Sequence, residues 1–254
     1  MVAQAAGAFL FCNSKPFPTF AKYLFDVNRE ILDSAQLFID AGRCFYFKAL
    51  TFDSMKAENV NDAWLASLAA TLKMKLTRAQ GDAVRLIVLE CEKQGVTDLR
   101  QIAYVLGTVY HESRFLSIKE KRANPSGDAM QRKVYKMQEA YWYTGFYGRS
   151  FCQLTWGYNY ERFCPVVGMD LLKKPDLVLR PEIGAKILVY GMKWGSFVAR
   201  APRLSSQTNL GKYFNDTKTD WINARRIVNG VFRAEMVADA AKKILPLLSY
   251  EPLA

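Results

Sequence analysis

Apolar side chains at Leu99, Ile102, Ala103, Val105, Leu106 and Val109 recur at helical spacing, and the pattern loosens past Phe115 and Leu116 into the polar run Lys119 to Ser126. Asp98 with Gln101 three positions on reads as a capping box that starts this helix. Val105, Val109 and Glu112 fall on one of its faces, because seven residues is close to two turns. A carboxylate therefore closes an apolar stripe. Further helices are expected over Phe25 to Ile39, Ala63 to Leu72, Thr77 to Cys91 with Gly95 as its stop, Val134 to Tyr143, Glu182 to Trp194, Thr219 to Val228 and Ala234 to Leu245. Lys15 to Phe20 carries two prolines and should be extended, Cys44 to Phe47 reads as helix or strand, and Asn124 to Gly127 is a turn. Strand signals are few, so the chain should be mainly α.

The polar stretch Ser54 to Asp62 is the expected boundary between an N-terminal extension, residues 1–60, and a larger domain, residues 61–254. The formal net charge is +11. Residues 1–60 contribute nothing to it, with six basic and six acidic side chains, so the excess lies wholly in the larger part. That part suits an anionic partner: nucleic acid, an anionic membrane surface or a negatively charged cell wall. No basic recognition helix stands out, so nucleic acid is not expected. Met1 to Phe11 is apolar but short and lacks a basic start, so neither a transmembrane span nor a signal peptide is expected. The five cysteines include no CxxC, and His111 is the single histidine, which argues against a metal site and for reduced thiols.

Two carboxylates stand out. Burial of Glu112 against the stripe would disfavour its charged form, as a general acid requires, while Glu120 lies in the polar run beyond. Environments that push the pKa values of two carboxyl groups apart in this way are those of a glycosidase. The plainer alternative is that Glu112 pairs with Arg114, Lys119 or Arg122 at the helix end and Glu120 is solvated. Gly145 to Tyr160, dense in rings, glycines and amides, reads either as an aromatic core hairpin or as a carbohydrate cleft. A Ser-His-Asp hydrolase would have to use His111, and no GxSxG elbow accompanies it.

Five blocks in order carry a family resemblance: Tyr110-His111-Glu112-Ser113; Ile118-Lys119-Glu120; Tyr147 through Thr155; Asn159-Tyr160; and Arg226-Ile227-Val228-Asn229-Gly230. Together they resemble glycoside hydrolase family 19, with the chitinase-like endolysins of bacteriophages and bacteria as the best match. The resemblance implies a lysozyme-like, two-lobed α-helical domain over roughly residues 77 to 247. It implies Glu112 as general acid, with Ser113 where the family has threonine, and Glu120 as the base that activates water. Glu139 stands in reserve, because plant members hold the base further from the acid. Thr155 would help hold the water. Gln153, Asn159 and Asn229 would line the sugar cleft with amides, Tyr147 and Trp156 would contact sugar, Arg149 would shape the wall, and His111 would orient Glu112.

The implied reaction is inverting hydrolysis of β-1,4-linked N-acetylhexosamines, with carboxyl groups roughly 6.5 to 9.5 Å apart and no metal or organic cofactor. Peptidoglycan is the expected substrate, because a basic surface suits an anionic wall, with chitin as the alternative. A non-catalytic wall-binding or virion protein on the same fold is the main competitor. The expected setting is synthesis in a host bacterial cytoplasm and action at the cell wall. Residues 1–60, too aromatic for a free tail, would dock on the catalytic domain or anchor the chain among other phage virion proteins.

Overall fold

A computed structural model describes residues 37–40, 43–46, 55–197 and 208–249. The chain divides into two units, Met1–Asp53 and Ser54–Ala254. In the first, β1 (Leu37–Asp40) and β2 (Arg43–Tyr46) pair antiparallel, with Leu37 opposite Tyr46 and Asp40 opposite Arg43. The helix expected to run to Ile39 therefore gives way to a strand over its last residues, where the sequence is rich in aromatic and β-branched residues of high strand propensity. The rest of that segment, the Lys15 to Phe20 run and Met1 to Phe11 lie outside the described residues.

The second unit begins with α1 (Asp62–Thr71), capped by the Asn61 side chain, which accepts from the Trp64 N–H at 2.9 Å. Next comes α2 (Arg78–Lys93), which has a true capping box: Thr77 Oγ1 accepts from the Gln80 N–H, and Gln80 Oε1 accepts from the Thr77 N–H. The central helix α3 (Leu99–Ser113) starts where the pattern places it, but without the expected box. Asp98 caps it by accepting from the Arg100 N–H at 2.8 Å, while Gln101 donates across the fold to Phe214 O at 2.9 Å. Arg114 and Phe115, at φ of 53° and 61°, end it abruptly.

Beyond it lie β3 (Ile118–Lys119), α4 (Ala129–Gln138), a 3-10 turn at Trp142–Thr144, and β4 (Arg149–Ser150), which pairs antiparallel with β3. Asp128 accepts from the Gln131 N–H and so starts α4 earlier than the Val134 expected from amphipathicity. Then follow α5 (Gly157–Val167), α6 (Pro181–Trp194), the single turn α7 (Leu210–Tyr213), the hairpin β5 (Phe214–Asn215) with β6 (Lys218–Thr219), and α8 (Ala234–Leu248). The helix expected from Thr219 to Val228 is replaced. Thr219 belongs to β6, Asp220 Oδ1 accepts from the Asn223 N–H, and only a 3-10 segment, Asn223–Ile227, forms.

The mainly α class is as expected, and the apolar residues collect in two clusters. The larger surrounds α3, every residue of which from Ile102 to Val109 is buried, with α1, α2, α6 and α8 packed about it. The smaller gathers Tyr160, Phe163, Leu171 and Val178 beneath α5. Helix α6 serves both, with Leu188 in one and Ile187 in the other. Two lobes thus share a spine, and α3 delivers its C-terminal carboxylate from the larger lobe toward the loop region preceding α5.

The α3–α8 contact is close because residue 107 is glycine. A Cβ there would stand 2.9 Å from the backbone N of Ala241 and 3.0 Å from its Cα. Gly107→Ala should gain up to about 1 kcal/mol of helix propensity yet lose about 1–3 kcal/mol to overpacking. A lowered melting temperature in thermal unfolding is therefore expected, and an unchanged or raised one would mean that α8 can move away freely.

Candidate active site

Glu112 sits on the last turn of α3, where the helix dipole opposes a negative charge. A guanidinium offsets that: Arg225 Nη2 donates directly to Glu112 Oε1. Arg225 is 2% exposed, its Nε donates to Phe232 O at 3.3 Å, and its Nη1 is buried without a partner among the described residues. The carboxylate is 20% exposed, so it is anchored on one side and open on the other. The expected environment is thereby corrected. Val105 and Val109 are fully buried as the stripe predicts, but the carboxyl group beyond them meets a fixed cation. Nor is the partner Arg114, Lys119 or Arg122.

Two further groups surround Glu112. Burial holds His111 below its ordinary range, with Arg225, Arg233 and Arg114 adding to the effect and Glu112 opposing it, so the imidazole is neutral at pH 7. Burial, and then the charge of Glu112, push the Cys152 thiol up to about 12, which leaves it protonated and unreactive.

Glu120 follows β3 and extends the ladder by one bond, its N–H donating to Gly148 O at 2.8 Å. Its side chain is held at both oxygens. Oε1 accepts from Gln138 Nε2 at 2.8 Å and Tyr141 Oη at 2.7 Å, and Oε2 accepts from the Gly148 N–H at 2.7 Å. Gln138, the single buried residue of α4, is itself fixed by accepting from the Ala123 N–H and donating to Lys121 O. Burial, and then the bond to Glu120, raise the Tyr141 hydroxyl well above its ordinary range, so it stays a donor. Glu120 is thus an oriented carboxylate rather than a solvated one. The reserve candidate Glu139 is half exposed and stands 3.9 Å from Arg122, whose guanidinium packs on the Tyr135 ring at 4.2 Å.

The loop from Gly145 to Trp156 completes the surroundings. It contains three non-glycine residues at positive φ, Ser150 at 68°, Gln153 at 54° and Trp156 at 75°, a concentration of backbone strain of the kind that collects at functional sites. Thr155 Oγ1 donates to Gln153 O at 2.8 Å, and Gln153 Nε2 donates to Ile118 O and Ser150 O. The Trp156 ring meets Tyr141 edge-on at 5.3 Å, and Tyr147 stacks on Trp142 at 4.4 Å.

Two residues expected at the cleft, Arg149 in its wall and Asn159 in its lining, turn inward. Arg149 is 2% exposed, with bonds to Asp176 Oδ1 at 2.7 Å, Tyr160 Oη at 2.9 Å and the carbonyls of Gly145 and Tyr147. It staples the loop and has no face for a ligand. Asn159 is 8% exposed and donates to Thr155 O at 2.7 Å, so it supports Thr155 instead of lining a cleft. Asn229 is exposed at the turn after the 3-10 segment that carries Arg225, with Oδ1 accepting from the Gly230 N–H. Two groups therefore assemble, one of Glu112 with Arg225, His111 and Cys152, the other of Glu120 with Gln138, Tyr141, Gly148 and Gln153.

Gly148 is the tightest point of the second group. A Cβ there would lie 2.7 Å from Gln153 Oε1 and 3.1 Å from Glu120 Oε2. Both obstacles are the ends of side chains, which can shift, so Gly148→Ala should disturb geometry more than stability. We expect kcat of any activity to fall by up to about 10²-fold, the scale of an ångström-sized misplacement, with little change in melting temperature. A fully active variant would show that Glu120 need not be fixed.

Arg225, Gln138 and Tyr141 are not singled out by the sequence. For Gln138 a signal exists: it is an amide on the apolar side of an amphipathic helix. Arg225 lies 113 residues from its partner, and nothing local marks it.

Comparison with known proteins places these groups in one frame. Residues 108–232 match the sequence model of glycoside hydrolase family 19, described as chitinase class I, and every candidate site residue lies inside that segment. Endochitinase CH5B of Phaseolus vulgaris is 33% identical over 82 residues, covering 32% of this chain and 24% of that protein. An endochitinase of Arabidopsis thaliana is 34% identical over 87 residues, covering 34% of this chain and 30% of that protein. The chain thus spans about a quarter to a third of the length of these relatives. Among solved structures, chitinase C of Streptomyces griseus aligns over 82% of this chain and 81% of its own, at 16% identity and a TM-score of 0.40. A bacterial family 19 chitinase aligns over 79% and 92%, at 17% identity and a TM-score of 0.38. The segment 108–232, which holds both anchored carboxylates, belongs to glycoside hydrolase family 19.

Proposed function

We propose that this protein is a peptidoglycan-degrading glycoside hydrolase of the muramidase or endolysin type. It cleaves β-1,4 bonds between N-acetylhexosamines with inversion, in phage-associated lysis of a bacterial wall. The observation that carries the reading is the pair of carboxylates held in unlike surroundings. Glu112 is part open and faces one guanidinium, while Glu120 is fixed at both oxygens by three donors. In the proposed reaction Glu112 protonates the glycosidic oxygen as the bond to the anomeric carbon breaks. Glu120 takes a proton from the water that attacks the opposite face.

Arg225 keeps the Glu112 carboxyl in place while its proton is exchanged. Thr155 Oγ1 donates to Gln153 O and so keeps its lone pairs for the attacking water. Trp156 offers a ring face to sugar, Tyr147, sandwiched between Trp142 and the Arg149 guanidinium, offers its edge, and His111, Gln153 and Asn229 offer polar groups. Residues 1–60 would anchor the enzyme in a larger assembly.

The charge supports peptidoglycan, because the excess of basic residues lies in the part that bears the site. A second reading, chitinase, is favoured by the relatives, which are named endochitinases. Digestion of purified peptidoglycan and of chitin oligomers, with products read by mass, separates them. Disaccharide-peptides with a reducing muramic acid end are expected; release from chitin alone would make the protein a chitinase, and retained binding with no turnover would make it a wall-binding protein.

A further inference from the structure

Away from both carboxylates, the end of α2, helix α5 and the last turns of α6 enclose a pocket of about 540 Å³, within the range of ligand sites and large enough for a disaccharide. No residue of the two carboxylate groups lines it. Its wall carries Arg162, Lys186 and Lys193, with no aspartate or glutamate among its described lining residues. Its rim carries Trp194, 54% exposed although it is the largest side chain on its helix, and Tyr190 one turn earlier, 6.4 Å from it. Lys193 lies 5.2 Å from the indole and donates to Gln94 O, which closes one side of the pocket. Lys186 makes no ion pair among the described residues.

The Gln94 amide is oriented by its neighbours. Its Nε2 donates to Glu90 Oε2 at 3.1 Å and to Lys186 O at 3.2 Å. That leaves Oε1 as a buried acceptor with no partner among the described residues, in a residue that lines the pocket. Such an atom is costly unless a donor reaches it. The combination is an open aromatic face, a lysine without a counter-charge and an orphan acceptor beside them. A pyranose satisfies all three if it carries an acid group: the ring stacks, a hydroxyl or amide N–H donates, and a carboxylate meets Lys186.

We propose that this pocket is a second, non-catalytic glycan-binding site, selective for sugars that bear a carboxylate, as muramic acid and its attached peptide do. The choice of ligand rests on the reading of the chain as a wall hydrolase; the selectivity for acid over neutral sugar rests on the pocket alone. Asn159 joins the two regions, bonding Thr155 O on one side and facing Arg162 at 3.4 Å on the other.

The test measures binding of the full chain, in a Glu112→Gln background to prevent cleavage, to insoluble peptidoglycan and to chitin beads. Turnover of a short soluble oligosaccharide is measured separately without that background. Trp194→Ala should weaken binding to peptidoglycan by about tenfold, the order expected for one stacking ring. Lys186→Glu should weaken it similarly while leaving chitin binding unchanged, and 1 M salt should reproduce the lysine effect on the parent protein. Soluble turnover and melting temperature should not change in either variant. Peptidoglycan binding within twofold of the parent in both variants would overturn the proposal. So would an equal loss on chitin from Lys186→Glu, or a parallel loss of soluble turnover. A protein that hydrolyses nothing but shows the predicted pattern of binding would refute the proposed reaction and leave this site standing.

Discussion

Glu112→Gln is expected to reduce hydrolysis by about 10²–10⁴-fold, the contribution of a positioned general acid. The glutamine side chain keeps the shape of the carboxyl group and an oxygen for Arg225 Nη2, but it cannot give a proton to the leaving oxygen. The same change removes the counter-charge of a guanidinium that is 2% exposed. We expect it to lower stability by about 1–3 kcal/mol, less than the full removal of a partner because one hydrogen bond persists. The two effects separate cleanly. Activity measured well below the melting temperature should be lost even though the protein is folded. Retention of more than a tenth of the turnover would exclude Glu112 as the acid.

Glu120→Gln should cost comparably in turnover, about 10²–10⁴-fold, and it should also cost stability by a different route. Both oxygens of Glu120 accept, one from the Gly148 N–H and the other from Gln138 and Tyr141. An amide offers one acceptor and one NH2 group, so whichever way it turns a donor faces a donor. A half-buried clash of that kind costs about 1–3 kcal/mol. Tyr141→Phe then serves as a control. It removes a bond that Glu120→Gln already disturbs, so the loss of melting temperature in the double variant should be smaller than the sum of the two single losses. Additive effects on the melting temperature would contradict the hydrogen-bond assignment.

How far the site was readable depended on sequence distance. Helix α3 was legible because its signal is local: Asp98 caps it, and the apolar period of Leu99 to Val109 sets its buried face. The expected capping box fails for the same reason, since Gln101 satisfies a local pattern but spends its amide on Phe214 O, 113 residues away. The candidacy of Glu112 came from its face of the helix, whereas the cation that defines its surroundings comes from a 3-10 segment that was itself expected to be helix. Asp220, by accepting from Asn223, and the β5–β6 hairpin divert that segment, and neither leaves a mark in the apolar period.

Motif residues proved legible by position but not by direction. Arg149 and Asn159 sit within the family segment, yet they turn their polar groups toward Asp176, Tyr160 and Thr155. What they support is the shape of a strained loop, which brings Gln153 beside Gly148 and Glu120. The aromatic content of that loop was open to either reading. Tyr160 belongs to the small core at 0% exposure, whereas Tyr147 and Trp156 are only partly buried, so core and cleft are built from the same run of sequence.

In the proposed reaction two carboxylates act from opposite faces of one sugar, and the stereochemistry of the first product reports this directly. Proton NMR should be recorded in the first minutes of cleavage of whichever β-1,4-linked N-acetylhexosamine polymer the enzyme accepts. An α-anomer at the new reducing end, appearing before mutarotation and absent with Glu112→Gln, is the predicted result. A β-anomer would mean that a nucleophile, on the protein or the sugar's own 2-acetamido group, attacks the anomeric carbon first and that cleavage is not a single displacement by water activated at Glu120, contradicting the central claim.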